Sequence, residues 1–344
     1  MNNTNIINSL HKHDGSTVAG VMLRVCIAMI HGLLCYIWYF GWGILIQCLL
    51  AVGFALAIEC LMLRQRRKQI TLFLKDGSAI VTGLLFAFTV TPFTPWWITL
   101  IGITFAIVFA KHLYGGLGYN PFNPAMAGYV FVLLCFPAQM NLWPSVSGLA
   151  DVAPGMVDYM SMIFLAQPSA SNSIDAISGA SPLNHMMSQL GLMAMVSEIQ
   201  ADPLYGDFAG AGWEWINMAF LLGGTALLFM RVIHWQIPVA MLAGMFIASL
   251  LFNLYDSEIY ASPLFHLFAG GTMLGAFFIA TDPVTASTTP RGRLIYAALI
   301  GVLAYTIRVW GGYPDGIAFA VLIANATVPL IDRYTRPRVL GENQ

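Results

Sequence analysis

The chain has 344 residues, of which 58% are hydrophobic and only 9% are charged. Soluble domains average about 25% charged residues, so a water-soluble globule is excluded because its apolar side chains could not be covered. The same abundance of apolar side chains excludes a disordered chain. The net charge is −1 and no basic patch is present, so we expect no nucleic-acid partner. The composition predicts a polytopic membrane protein surrounded by membrane lipids.

Ten apolar runs follow one another along the chain, and ten spans of about 20 residues would account for its apolar content. The runs lie at 21–40, 43–63, 77–92, 96–110, 124–138, 213–233, 236–254, 262–281, 294–310 and 315–331. The shortest have 15 residues, which is marginal for a hydrocarbon core of about 30 Å. The short runs are bounded by Gly and Pro, a pattern typical of broken helices that line a site near the membrane midplane.

Basic residues fall almost entirely on one side of this predicted bundle. With a cytoplasmic N-terminus, 14 of the 15 Lys and Arg residues, all but Arg308, lie in or beside cytoplasmic segments, as the positive-inside rule requires. Segment 139–212 has no Lys or Arg, and seven acidic residues lie within it or just after it. We therefore expect both termini to be cytoplasmic and segment 139–212 to be an outer, periplasmic loop.

A weak internal repeat supports two halves of opposite orientation. Thr82 and Thr91 flank an apolar stretch of the same length as that between Thr272 and Thr281, and Gly115-Gly116 recurs as Gly311-Gly312. The first set begins inside and the second outside. The predicted fold is an all-α bundle of ten transmembrane helices in two inverted five-helix repeats, with some helices broken. The predicted parts are a cytoplasmic segment (1–20), a first repeat (21–138), the outer loop (139–212), a second repeat (213–332) and a cytoplasmic tail (333–344).

Four polar patches rich in Gly and Pro interrupt the apolar runs, at 75–78, 115–125, 280–283 and 311–316. One interpretation makes them loops and helix caps, with Asp76 and Asn123 as N-caps and Pro124 at a first helical position. The other makes them broken backbone, which is tolerated in a membrane only where it lines a protein cavity. The second interpretation gives candidate lining residues for a ligand site or ion pathway: Gly116, Asn120, Asn123, Asp282 and Asp315.

Two charged residues lie inside apolar runs. Arg308, at the outer end of its run, either extends its charge into the interface or binds Asp315 or an anionic ligand. Glu59 lies one turn from the inner end of its run, near Arg64, and we expect a structural role for it. The seven His and five Cys residues are scattered, without the spacing of a metal or haem site.

The outer loop contains the sequence Asp175-Ala-Ile-Ser-Gly-Ala-Ser181-Pro. The residues alone allow a turn of small side chains between two helical pieces. They also allow a hydroxyl displayed on an uncrowded turn, where a modifying enzyme can reach it.

Four longer motifs carry a resemblance to a known family: residues 115–126, 277–285, 311–322 and 329–338. In that order they resemble the D subunits of bacterial Rnf complexes, which are related to the B subunits of sodium-pumping NADH:quinone reductases. The resemblance implies a ten-helix membrane subunit with a fold similar to urea transporters. It implies a complex that couples electron transfer between ferredoxin and NAD to Na⁺ or H⁺ movement across the bacterial inner membrane. The chain would be a redox subunit of that complex, not catalytic alone.

The resemblance also implies a covalent cofactor. The family's outer loop carries a flavinylation motif, Asp-x-x-Ser/Thr-Gly-Ala-Thr, whose last residue receives FMN through a phosphoester made by a flavin transferase. Here Ser181 stands in place of that Thr, with Asp175, Ser178, Gly179 and Ala180 completing the motif. A serine hydroxyl forms the same bond but lacks the methyl group that restricts χ1.

A second, non-covalent flavin is implied within the bundle, riboflavin in the related subunit, and the broken-helix patches are its candidate lining. The chain has no set of four Cys for an iron–sulfur cluster, so partner subunits would hold the clusters. The alternative function is a channel or transporter of the same fold without a redox role.

Overall fold

The structure is a computed structural model that describes residues 17–149, 153–169 and 172–336. Most of the predicted N-terminal segment and the tail beyond residue 336 lie outside the described residues. Within them the chain is helical except for two short strands and the connecting loops.

The first half of the chain, up to residue 140, forms seven described helices. They are α1 (Val18–Phe40), α2 (Gly43–Gln65), α3 (Ile70–Leu74), α4 (Ser78–Ala87), α5 (Trp96–Thr104), which continues as a π-helical segment (Phe105–His112), α6 (Pro124–Cys135) and α7 (Pro137–Met140). The long helices α1 and α2 pack against the shorter α4 and α5, and α6 packs against the π-helical segment.

The outer segment that follows contains short helices and a two-stranded sheet. Its elements are β1 (Trp143–Pro144), α8 (Met156–Leu165), α9 (Ile174–Ile177), β2 (Ser178–Gly179), α10 (Pro182–Gly191) and α11 (Val196–Ile199). The strands are antiparallel, with Trp143 opposite Gly179 and Pro144 opposite Ser178. The sheet therefore attaches the predicted flavinylation motif to the chain that leaves the first half.

The second half repeats the alternation of long and short helices. Its elements are α12 (Trp213–Phe229), α13 (Gln236–Tyr255), α14 (Pro263–Phe268), α15 (Thr272–Leu274), which continues as a π-helical segment (Gly275–Ile279), α16 (Pro290–Trp310) and α17 (Ile317–Thr335). Helix α16 begins four residues before its apolar run, because the Thr289 hydroxyl accepts a hydrogen bond from Gly292 N–H and Pro290 takes the first helical position.

Each of the ten predicted apolar runs contains a helix, but the helices differ in length. Among the described residues α1, α2, α13, α16 and α17 are long and apolar enough to cross a membrane. Helix α4 has 10 residues, about 15 Å at 1.5 Å per residue, or half of the hydrocarbon core. The run 262–281 is interrupted between α14 and α15, where Gly270 adopts φ +57°. The protein is thus an α-helical polytopic membrane protein that contains short and broken helices.

Exposed Trp and Tyr side chains lie at the helix ends and form two groups. At the end of the bundle where α1 finishes they are Trp38, Trp42, Trp96, Trp215, Tyr255 and Trp310; at the opposite end they are Tyr114, Tyr119, Trp235 and Tyr334. Trp and Tyr collect at membrane–water interfaces, so these groups mark the two surfaces of the bilayer. The ends are called outer and inner below.

Small residues allow close helix packing both between the two halves and within the second half. A Cβ atom placed on Gly223 of α12 would lie 2.1 Å from the carbonyl oxygen of Ala28 in α1. A Cβ on Gly301 of α16 would lie equally close to the Met241 carbonyl in α13. In a bilayer, close backbone packing of this kind replaces the hydrophobic effect as the source of helix association.

We expect Gly223→Ala to lower the melting temperature of the purified protein in detergent, because the new methyl must displace backbone. Overpacking of this kind costs about 1–3 kcal/mol. Gly53→Ala on α2 is the matched control, since a Cβ there meets no atom within 4 Å. Equal melting temperatures for the two variants would contradict this account of the α1–α12 contact.

Candidate functional site

Two cavities enter the bundle from opposite ends. The outer cavity holds about 800 Å³ of non-atom space, including its mouth, and the inner cavity about 1600 Å³. Aromatic and methionine side chains dominate the outer cavity: Tyr36, Phe88, Met126, Tyr129, Met140, Trp143, Trp213 and Tyr313. The inner cavity combines apolar walls with polar and basic side chains, among them Ser78, Lys111, Asn120, Asn123, His234, Asp282 and Arg293.

The predicted site residues are divided between these cavities. Ser181 and Asp315 line the outer cavity, while Asn120, Asn123 and Asp282 line the inner one. Gly116 lies among the lining residues of neither, although its φ of +102° fits a Gly-rich loop. The proposed set is therefore two groups, one for each side of the membrane.

Ser181 is the N-cap of α10. Its Oγ accepts a hydrogen bond from the Asn184 N–H at 3.3 Å, and Pro182 occupies the first helical position. The side chain is half-buried and also faces a surface groove of about 840 Å³ lined by Gly179, Ala180 and Asp202. The hydroxyl thus lies at the positive end of a helix dipole, between the groove and the outer cavity.

The rest of the motif is fixed by its backbone. Ser145 N–H donates to the Ile177 carbonyl at 3.0 Å, beside the strand pair, and the Ile177 side chain is fully buried. Asp175, Gly179 and Ala180 are exposed, and Ser178 Oγ donates to the Ile174 carbonyl. The motif is therefore a surface turn of small side chains between two helices, on an anchored segment, and its modification stays a prediction.

Arg308 is buried, with 1% of its side chain exposed, so the interpretation in which it extends into the interface is wrong. Its Nη1 donates to the His266 carbonyl at 2.7 Å. Its Nη2 donates to the Ala269 carbonyl at 3.2 Å, the Thr272 hydroxyl at 2.9 Å and Asp315 Oδ1 at 3.0 Å. The guanidinium therefore binds carbonyls at the end of α14 and the first residue of α15, across the break.

Asp315 binds a backbone N–H group at the same break, while Arg308 binds the carbonyls. Its Oδ2 accepts from the Gly271 N–H at 2.7 Å, and its Oδ1 accepts from the Ile317 N–H at 3.3 Å at the start of α17. The alternative in which Arg308 pairs with Asp315 is confirmed. Because Asp315 also lines the outer cavity, the pair forms part of that cavity's wall.

A second buried base lies in the first half. Lys111 Nζ donates to Glu59 Oε2 at 2.9 Å and to the Ser78 hydroxyl at 3.0 Å. His112 Nε2 lies 3.2 Å from the other Glu59 oxygen, and Arg66 donates to the His112 carbonyl at 3.1 Å. Glu59 therefore pairs with Lys111, 52 residues away, and its predicted neighbour Arg64 is not its ion-pair partner. Lys111 and His112 are the last two residues of the π-helical segment, and both reach this carboxylate.

The two bases occupy corresponding positions. Lys111 precedes the first Gly-Gly pair and binds Ser78, the first residue of the short helix α4. Arg308 precedes the second pair and binds Thr272, the first residue of α15. Each half therefore holds a buried cation against the start of a short helix, one at the inner end and one towards the outer end.

Hydrogen bonds of Asn123, in the first half, join it to the second half. Asn123 caps α6 as expected, accepting from the Met126 N–H at 3.2 Å. Its Nδ2 donates to the Ile279 carbonyl at 3.3 Å, and its N–H donates to Asn325 Oδ1 at 3.1 Å. Asp282, nearby in the inner cavity, accepts from the Thr285 hydroxyl at 2.9 Å. Both interpretations of Asn123 hold, because the cap is also a wall of the cavity.

Sequence reasoning missed three residues that support this site. Asn217 bonds the Phe268 and Gly270 carbonyls and the Met273 N–H at the α14–α15 break. Gln47 bonds the Thr94 carbonyl and the Thr99 hydroxyl where the first half is broken. Asn325 binds Asn123 and the Tyr296 hydroxyl. The signal in the sequence was an amide side chain in the middle of an apolar run, where burial without a partner is costly.

The long apolar helices, the interfacial aromatic groups and the polar broken-helix centre define an integral membrane protein with a buried polar site. The model of the NQR2, RnfD, RnfE family matches residues 5–341, and the chain belongs to this family. Similar relatives include the D subunits of the ion-translocating oxidoreductase complexes of Aliivibrio salmonicida and Escherichia fergusonii. Each is 49% identical to this chain, covering 98% of it and 99% of the relative. The corresponding protein of Escherichia coli strain K12 is 47% identical over 98% of the chain and 99% of the relative.

We expect Arg308→Gln to destabilise the protein, because it leaves Asp315 without its cation and two carbonyls without their donor. Breaking a fully buried ion pair from one side costs about 3–5 kcal/mol, and we expect a smaller loss here because the Asp315 side chain is 29% exposed. The loss should appear as a lower melting temperature in detergent. Arg333→Gln is the control, since Arg333 is exposed at the end of α17. Equal melting temperatures for Arg308→Gln and the control would contradict a stabilising role for the Arg308 contacts at the α14–α15 break.

Proposed function

We propose that the chain acts as the D subunit of an ion-translocating oxidoreductase complex of the Rnf type. Such a complex couples electron transfer between ferredoxin and NAD to the movement of Na⁺ or H⁺. Support comes from the relatives, which are named as this subunit and are similar to the chain over nearly their full length. The structural observation that carries the proposal is the placement of Ser181 beside an aromatic cavity at the outer end of the bundle.

The proposal includes a topology. The ten apolar runs form ten spans in two inverted five-helix repeats with a urea-transporter-like fold, divided at residues 20, 138, 212 and 332. The termini are cytoplasmic, loop 139–212 is periplasmic, and the membrane is the bacterial inner membrane. The distribution of basic residues, the two aromatic groups and the matching positions of Lys111 and Arg308 support this arrangement.

FMN joined to Ser181 fits the surroundings of that residue. Its phosphate would lie at the N-terminus of α10, where the helix dipole and the Asn184 N–H favour an anion. This matters because the surrounding loop is acidic and Asp202 lines the adjacent groove. Aromatic side chains of the outer cavity's wall, including Trp143 and Trp213, offer stacking surfaces for a flat ring system at its mouth. The exposed Asp175, Gly179 and Ala180, with Ser178, offer the transferase its recognition sequence.

When bound, the flavin supplies the redox chemistry of the subunit. The chain contributes attachment through Ser181 and an apolar wall that excludes water. It also contributes Asp315 in the wall of the outer cavity, where the negative charge of its carboxylate is balanced by Arg308. The iron–sulfur clusters belong to partner subunits in this proposal, and a separate flavin transferase carries out the modification.

The inner cavity is the candidate site for the second flavin or for the ion pathway. Its hydroxyl, amide and basic groups, with Asn120, Asn123 and Asp282 among them, offer hydrogen bonds to the polar edge of riboflavin. Its volume admits a ring system of that size. The carboxylate of Asp282 and the hydroxyl of the neighbouring Thr285 offer the oxygen ligands that a cation would bind there. Gly116 is outside this lining and belongs to the proposal only through its loop.

The alternative function is a channel or transporter without a redox role. Two cavities that enter from opposite ends and approach each other near Asn123 and Met126 favour it. The presence or absence of flavin on Ser181 distinguishes the two functions.

Ser181→Ala should abolish flavin attachment while the protein still inserts, because the nucleophilic oxygen is removed. Denaturing electrophoresis under ultraviolet light should show a fluorescent band for the wild type and none for the variant. Ser188→Ala, which removes an exposed hydroxyl of the same helix, should keep the band, as should Ser181→Thr. An unmodified Ser181 peptide by mass spectrometry, from cells that have the transferase and flavin, would leave the transporter function as the better proposal.

The topology predicts opposite behaviour for two reporter fusions. A reporter inserted after Gln167, which is exposed in the outer segment, should behave as periplasmic. One fused after Gln344 should behave as cytoplasmic. Activity of an alkaline phosphatase at the second site would overturn the ten-span arrangement, since ten crossings return the chain to the side where it began.

A further inference from the structure

Helix α8 of the outer segment has apolar side chains on both of its faces. One face is buried: Tyr159, Met162 and Ile163 form a cluster with Phe93, and Ile46 and Leu50 of α2 pack against it. The opposite face is exposed and carries Met156, Val157, Met160, Phe164 and Leu165, of which Val157 and Leu165 are about 70% exposed. A helix at a hydrated surface would carry polar side chains on its outer face.

The contacts of α8 fix its depth relative to α2. The Tyr159 ring lies against the turn between α1 and α2, since a Cβ on Gly43 would be 2.3 Å from it. Ile46 and Leu50 lie three and seven residues inside α2, about 4.5 and 10.5 Å from its outer end at 1.5 Å per residue. The exposed Trp42 at the same turn marks the interface. Helix α8 therefore lies beside the outermost 10 Å of α2, the depth of an interfacial helix.

The one charged residue of α8 is turned away from this face. Asp158 is buried and accepts hydrogen bonds from Gly155 N–H at 2.8 Å, from Asn172 Nδ2 at 3.1 Å and from the Ser169 hydroxyl. Burial raises the pKa of Asp158, but these hydrogen bonds outweigh it and hold the pKa below its usual value. The carboxylate is thus satisfied within the protein, and the exposed face presents no charge.

We propose that the exposed face of α8 is inserted among the acyl chains of the outer leaflet and anchors the outer segment to the lipid surface. The occupant is lipid because α8 packs on Ile46 and Leu50 of the membrane-crossing helix α2, and Leu49, next to them on that helix, is exposed. Ile177 is buried in the same cluster as Tyr159 and Ile163. The anchor therefore sets the height of the Asp175–Ser181 segment above the membrane. This inference does not depend on the chemistry proposed for Ser181.

The test is fluorescence quenching in the assembled complex, reconstituted into lipid nanodiscs. Val157→Cys and Phe164→Cys, in a background with the five native cysteines replaced, carry a small fluorophore. We expect quenching by lipids brominated near the top of the acyl chain and protection from iodide in solution. Asp207→Cys, at an exposed position of the same outer segment, is the matched control and should show the opposite pattern.

Iodide quenching at positions 157 and 164 would overturn the proposal by showing a hydrated face. Protection from both quenchers would also overturn it, by showing that another subunit covers the helix. A photoreactive benzoylphenylalanine in place of the exposed Phe164, which keeps the aromatic ring and extends it by a benzoyl group, serves as a second variant in native membranes. A phospholipid adduct there supports the anchor, and an adduct with another protein contradicts it.

Discussion

A helix that stops inside a bilayer leaves backbone carbonyl and N–H groups that lipid cannot bind. In this structure buried polar side chains form hydrogen bonds with those groups. The break between α14 and α15 shows how. Arg308 binds the carbonyls of His266 and Ala269, and Asp315 binds the Gly271 N–H. Asn217 binds two more carbonyls and an N–H across the same break. Without these side chains the broken helix would leave several polar groups unpaired in a medium without water.

The position of both cavities follows from these breaks. Gly270 and Gly271, in the break between α14 and α15, line the outer cavity together with its aromatic side chains. Where the loop before α6 enters the bundle, Asn123 meets the last turn of the second π-helical segment, and the inner cavity lies beside it. The same side chains that make a broken helix tolerable therefore also shape the space in which a cofactor or ion can be held.

Properties encoded locally could be predicted from the sequence. The ten apolar runs, the cap at Asn123 and the exposure of the Asp175 motif each depend on a few consecutive residues. The pairing of Lys111 with Glu59 could not be predicted, because the two residues are 52 positions apart in the chain. The division of the candidate lining residues between two cavities could not be predicted either, because spacing along the chain does not reveal which end of the bundle a broken helix faces.

The pairing of β1 with β2 involves only two residues on each strand, in contrast to the long packed helices beneath it. Short elements with few buried contacts open at low free energy, independently of the packed core. Release of Ser178 and Gly179 from β1 would free the turn before Ser181, while Trp143 stays packed on Phe40 and Trp213 and the membrane helices stay folded. Under the modification proposed for Ser181, access of the transferase to that hydroxyl would depend on this local opening and not on global stability, so attachment would be compatible with a bundle that has already assembled.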